Sequence, residues 1–85
     1  MKVKDNMILR HVMDSDVVVD VTGRFSGLLK LNETSAAIWR AVAAGETQEQ
    51  IAERLAAEYE VSPEQALADV ESFCAAMLDK GFFTR

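Results

Sequence analysis

Eighty-five residues, 49% hydrophobic and 27% charged, are enough for one domain spanning 1–85 and too few for two. A net charge of −5, with nine scattered Lys and Arg, argues against nucleic acid as a partner, because phosphate binding draws on clustered cations. No run approaches the roughly 18 apolar residues of a membrane span, and no signal-peptide core opens the chain. With a lone cysteine, Cys74, that cannot form an internal disulfide, the expected setting is the reducing cytoplasm, away from membranes.

In chain order, the first elements read as extended. Met7 to Met13 is apolar with polar residues on one side, and Asp14-Ser15-Asp16 reads as a turn. Val17 to Val21 is a β-branched run closed by Thr22-Gly23, and a third strand, Phe25 to Leu31, follows. Strands this close in sequence form an antiparallel meander. In the third, Phe25, Gly27, Leu29 and Leu31 share one face and Ser26, Leu28 and Lys30 the other.

From Asn32 onward the period becomes helical. Asn32 caps a helix over 33–44 that carries Ile38, Trp39 and Val42 and stops at Gly45. Thr47 to Gln50 has capping-box spacing and opens a helix over 47–59, with Ile51, Leu55 and Tyr59 in one stripe. Ser62 to Gln65 repeats the pattern, with Pro63 at the first helical position, and opens a helix over 62–80 ended by Gly81. Its apolar side is Leu67, Val70, Phe73, Cys74, Met77 and Leu78, and Phe82-Phe83 is expected to fold back onto the core. The fold class that follows is α+β and winged-helix-like: a three-stranded antiparallel sheet followed by three helices that cover its apolar face.

Candidate chemistry is sparse. His11 is the only histidine and Cys74 sits among apolar neighbours, so this pair reads as a strand histidine and a buried thiol rather than a nucleophile and its base. No Cys/His spacing suits zinc, and Gly23 and Gly27 flank a strand instead of a strand-to-helix phosphate loop. The expectation is a non-enzyme with no metal or cofactor. Trp39 reads as core. Phe73 falls at the margin of its helix's apolar face, near Ala66 and beside Asp69, where a side chain can line a groove.

The run Phe25-Ser26-Gly27-Leu28-Leu29-Lys30-Leu31-Asn32-Glu33-Thr34, followed by Ile38-Trp39, resembles the LNET…IW signature of PqqD-like proteins. The likeness continues through Ile51, Leu55 and Tyr59, then Asp69-Val70 and Phe73, to Gly81-Phe82-Phe83. Ser35-Ala36, Leu29 and Cys74 depart from the usual Gly, aromatic and Leu. The resemblance implies a RiPP recognition element: a domain that binds the leader of a ribosomally made precursor peptide between the third strand and third helix, as an added strand. It further implies a maturation enzyme as partner, either a radical S-adenosylmethionine protein or a lasso-type protease or cyclase. The peptide-binding residues so implied are Phe25, Ser26, Gly27, Leu28, Leu29 and Lys30 on the strand, with Ala66, Asp69, Phe73 and Met77 on the helix.

One part of that mechanism has independent support. A third strand left at the edge of a meander presents unpaired N–H and C=O groups, a docking site for extended peptides. Among the strand and helix residues, the apolar Leu28, Phe73 and Met77 are expected to set specificity. The same edge would suit an adaptor binding a folded protein, or a homodimer formed by strand pairing. A winged-helix DNA reader is disfavoured by Glu64, Asp69, Glu71 and Asp79 on the third helix.

Overall fold

The order of elements is β1 (Lys2–Val3), β2 (Met7–Val12), β3 (Ser15–Asp20), β4 (Leu29–Leu31), α1 (Glu33–Ala43), α2 (Gln48–Tyr59), α3 (Pro63–Lys80) and β5 (Phe83–Thr84) in a computed structural model that describes residues 1–23 and 29–85. Strands β2, β3 and β4 form an antiparallel sheet in that spatial order. Alternation then sorts the side chains. Leu9, Val18 and Leu29 lie in register on the face that meets the helices, while Arg10, Val17 and Lys30 lie in register on the other. Val18 is fully buried and Leu31 nearly so.

The β2–β3 turn is tighter than the sequence suggests. It consists of Met13 and Asp14 alone, with Val12 paired to Ser15, so Ser15 and Asp16 belong to the strand and not to the turn. Met13 takes up the reversal with φ of 57°, a conformation that costs an L-residue roughly 1–2 kcal/mol. Asp16 can sit in β3 because its carboxylate is well partnered. It accepts hydrogen bonds from His11 Nδ1 at 2.9 Å and from Arg40 Nη2 of α1 at 2.8 Å, tying the sheet to the helix layer. The His11 hydrogen bond and the Arg40 guanidinium together hold this carboxyl below its ordinary value of 3.8.

The helices begin where the capping residues stand. Asn32, Thr47 and Ser62 each accept from the backbone N–H three residues on, and Gln50 completes a reciprocal capping box with Thr47. Gln65 does not reciprocate; its side chain donates to Asp69 instead. Gly81 ends α3 with φ of 83°. No glycine is present at the end of α2, and Glu60 takes the left-handed position there, with φ of 54°. A salt bridge between Arg54 and Glu46 ties α2 to the loop before it.

Helix α1 bears directly on the sheet, and α2 and α3 pair with each other beside it. Trp39, Ile51, Leu55, Val70 and Met77 all lie in one core, each at most 4% exposed. Phe82 and Phe83 do turn back onto it. Their rings lie 6.2 and 5.0 Å from that of Trp39, and Phe83 enters β5, which pairs with β1. This second, two-stranded sheet joins the two ends of the chain. At two residues per strand it carries no periodic signal, so its formation depends on burial of Phe83 rather than on strand propensity.

Candidate functional site

Asp69, Ser72, Phe73 and Ala76 fall at i, i+3, i+4 and i+7 of α3 and therefore share one flank. Opposite them stand Asn32, Thr34, Ser35 and Ile38 at the start of α1, directly after β4. Between the two lies a cleft of about 470 Å³. Its floor is apolar: Ile38 is 2% exposed, and the half-buried Phe73 ring stands edge-on to Phe83 with centroids 6.0 Å apart. Its rim is polar. Asp69 is exposed and accepts from Gln65 Nε2 at 2.8 Å, and Asn32 Oδ1 is occupied by the N–H of Ser35 at 2.7 Å.

Among the described residues β4 is hydrogen-bonded to a strand on one side only. The register shows which of its backbone groups face outward. Val12 and Ser15 flank a two-residue turn, so the two must exchange their own N–H and C=O bonds; the alternative pattern would bond neighbours 13 and 14 to each other. Alternation then turns the polar groups of Val17 toward β2 and those of Asp16 and Val18 toward β4. Asp16 pairs with Leu31 and Val18 with Leu29. Leu29 and Leu31 therefore spend their backbone groups on β3, and the N–H and C=O of Lys30 face the open edge, next to the cleft.

The candidate residues from the sequence divide into four groups. Asp69 and Phe73 line the cleft, and Lys30 and Leu29 lie on the strand that leads into it. Leu29 packs against the core, whereas the Lys30 side chain is exposed on the far face of the sheet, so only its backbone faces the edge. Ala66 and Met77, expected to contact the peptide, are not among the residues that line this cleft: at 1% and 4% exposure they are buried with Val70 and Cys74. Phe25, Ser26, Gly27 and Leu28 lie outside the described residues. Thr34, Ser35, Ser72 and Ala76 were not anticipated. Ser72 and Ala76 follow from Asp69 and Phe73 by helical period alone, whereas the α1 side needs the tertiary packing.

The potential nucleophile lies in a different environment. Burial pushes the Cys74 thiol up from its ordinary value, so it is a neutral packing group. His11 lies on β2 with its side chain largely exposed and its Nδ1 engaged by Asp16.

The family model described as coenzyme PQQ synthesis protein D (PqqD) matches residues 12–82. Two solved structures are similar over nearly the whole chain. One is of TbiB1 in complex with the TbiA(beta) leader peptide, at 24% identity and TM-score 0.84, covering 98% of this chain and 94% of that one. The other is of lasso peptide synthetase B1 complexed with the leader peptide, at 22% identity and TM-score 0.86, covering 98% and 95%. At these identities the likeness establishes the fold. No curated protein sequence is significantly similar to this chain.

Proposed function

The chain belongs to the PqqD family, and on that premise we propose that it is a leader-binding domain acting in the cytoplasm. It captures the leader segment of a ribosomally made precursor peptide and presents that precursor to a modifying enzyme. The observation that carries this reading is the adjoining of an open strand edge and a cleft with an apolar floor and a polar rim. Lys30 offers an N–H and a C=O to an extended chain, and Phe73 and Ile38 offer a place for one of its side chains. The two structural neighbours, each solved with a leader peptide, support it from outside. A binding role without catalysis also accords with the state of the nucleophile, since a thiol held neutral in a core neither attacks nor coordinates.

The test is a titration with synthetic leader segments of candidate precursor peptides, followed by fluorescence anisotropy. Saturable binding is expected, weakened about 10- to 100-fold by Phe73→Ala, which removes roughly 1.5–3 kcal/mol of apolar burial. Glu53→Lys on α2 should leave leader affinity within about twofold. Equal losses from both variants, with folding intact, would place the groove elsewhere.

A further inference from the structure

A second cleft, of about 510 Å³, runs between α2 and the start of α3. Ala52, Ala56 and Ala57 form one wall, Val61, Pro63 and Leu67 the other, and Glu49 and Glu53 stand at the rim. Val61 is 38% exposed at the mouth of this cleft, and Tyr59, two residues before it, is 36% exposed. The alanines keep the wall low enough for another backbone to approach.

Charge narrows the occupant. Between residues 48 and 66 the chain carries Glu49, Glu53, Glu58, Glu60 and Glu64 against Arg54, and Arg54 is already paired with Glu46. A second copy of the chain, at net charge −5, would bring like charge to this surface. An apolar stripe flanked by Lys and Arg meets both demands, and a helix presents such a stripe into a groove between two helices.

We propose that the α2–α3 cleft docks a cationic amphipathic helix of the protein that modifies the precursor. This rests on the leader-binding reading and adds the surface at which the partner engages. The two clefts are compatible. At about 100° per residue, Leu67 lies on one side of the inward stripe of Ala66, Val70, Cys74 and Met77, and Asp69, Phe73 and Ala76 lie on the other. Leader and partner thus occupy opposite flanks of α3, and one does not displace the other.

The probe is a synthetic Leu/Lys helix of about 18 residues, five turns long, with a Leu/Glu helix of the same pattern as control. Amide chemical-shift mapping on the full chain should place the Leu/Lys peptide at Ala52, Ala56, Val61 and Leu67, with no response to Leu/Glu. The double variant Glu49→Lys/Glu53→Lys, and separately Val61→Glu, should each weaken it about tenfold or more. Glu71→Lys/Asp79→Lys, which reverses as much charge on the outward side of α3, should change it less than about twofold, as should saturation with leader. Shifts spread over the whole acidic surface, equal losses from the Glu71 and Asp79 pair, or self-association through this cleft in place of peptide binding would each overturn the proposal. A chain that binds the probe here but no leader overturns the leader reading and leaves the docking surface standing; one that binds leader and ignores the probe does the reverse.

Discussion

Proline at position 30 isolates the backbone contribution to binding. The Lys30 N–H faces the open edge of β4 and its side chain is exposed, so Lys30→Pro removes neither a ladder bond nor a packed group. Edge positions of this kind are where strands accept proline, and Leu29, the residue before it, is already extended. Stability should fall by less than about 1 kcal/mol. Leu31→Pro is the opposite case: it loses a hydrogen bond to β3, about 0.5–1.5 kcal/mol, and the burial of a side chain only 7% exposed, about 1.5–3 kcal/mol. Its cost is then about 2–4.5 kcal/mol, a large share of the stability of a domain this small. For leader affinity the ranking reverses. Lys30→Pro deletes one donor, worth about 1 kcal/mol, so binding should weaken about fivefold or more, and Lys30→Ala should weaken it by less than about twofold. Urea denaturation followed by circular dichroism reads the first quantity and fluorescence anisotropy with the leader reads the second. A Lys30→Pro chain that folds and binds leader at full strength would refute strand addition at this edge.

Two further outcomes follow from the fold. Because the folded Asp16 carboxyl ionises more readily than usual, its contribution to stability is complete above the ordinary value of 3.8 and is lost as pH falls below it. The stability advantage of the natural chain over Asp16→Asn should therefore shrink between about pH 4 and the more acidic folded value, and an advantage that grew on acidification would contradict the assignment. Met13→Gly and Glu60→Gly each relieve a left-handed residue at an exposed position and should each raise stability by about 0.5–1 kcal/mol in urea melts.

Legibility in the sequence followed the range of the interactions. Asn32, Thr47 and Ser62 cap helices through bonds three residues long, so their positions, and with them all three helices, were readable to within a residue or so. The β-branched run of β3 was equally plain. The start of that strand was not, because Asp14, Ser15 and Asp16 all carry turn chemistry. The stabilisation of Asp16 in the ladder comes from His11 and from Arg40, the latter 24 residues away. The same holds for β1 and β5, whose pairing joins Lys2 to Thr84. At the cleft, Asp69 and Phe73 could be picked out because a helix margin is a periodic feature. Met77 and Ala66 could not be separated from them without knowing that the core of α1, α2 and the two terminal phenylalanines lies against their side of α3. Thr34 and Ser35 look like an ordinary first helical turn, and only tertiary packing brings them opposite Phe73.

The geometry also decides which part of the site controls affinity. Among the described residues of β4, only Lys30 turns its polar groups outward, so the described part of this strand offers one donor and one acceptor to an incoming chain. At about 1 kcal/mol net each, those bonds do little more than offset the 1–2 kcal/mol of backbone entropy lost by each leader residue they order. The surplus has to come from side chains buried in the cleft, at roughly 1.5–3 kcal/mol apiece. On the proposed reading, that puts discrimination between leaders at Phe73 and Ala76 and leaves the strand to set direction and register. A leader with its apolar anchor shifted by one residue would keep the backbone bonds, point that anchor away from α3, and lose most of its affinity. On the proposed reading, capture then depends on a spacing along the leader, from a backbone pair at Lys30 to a side chain at Phe73, more than on any single residue.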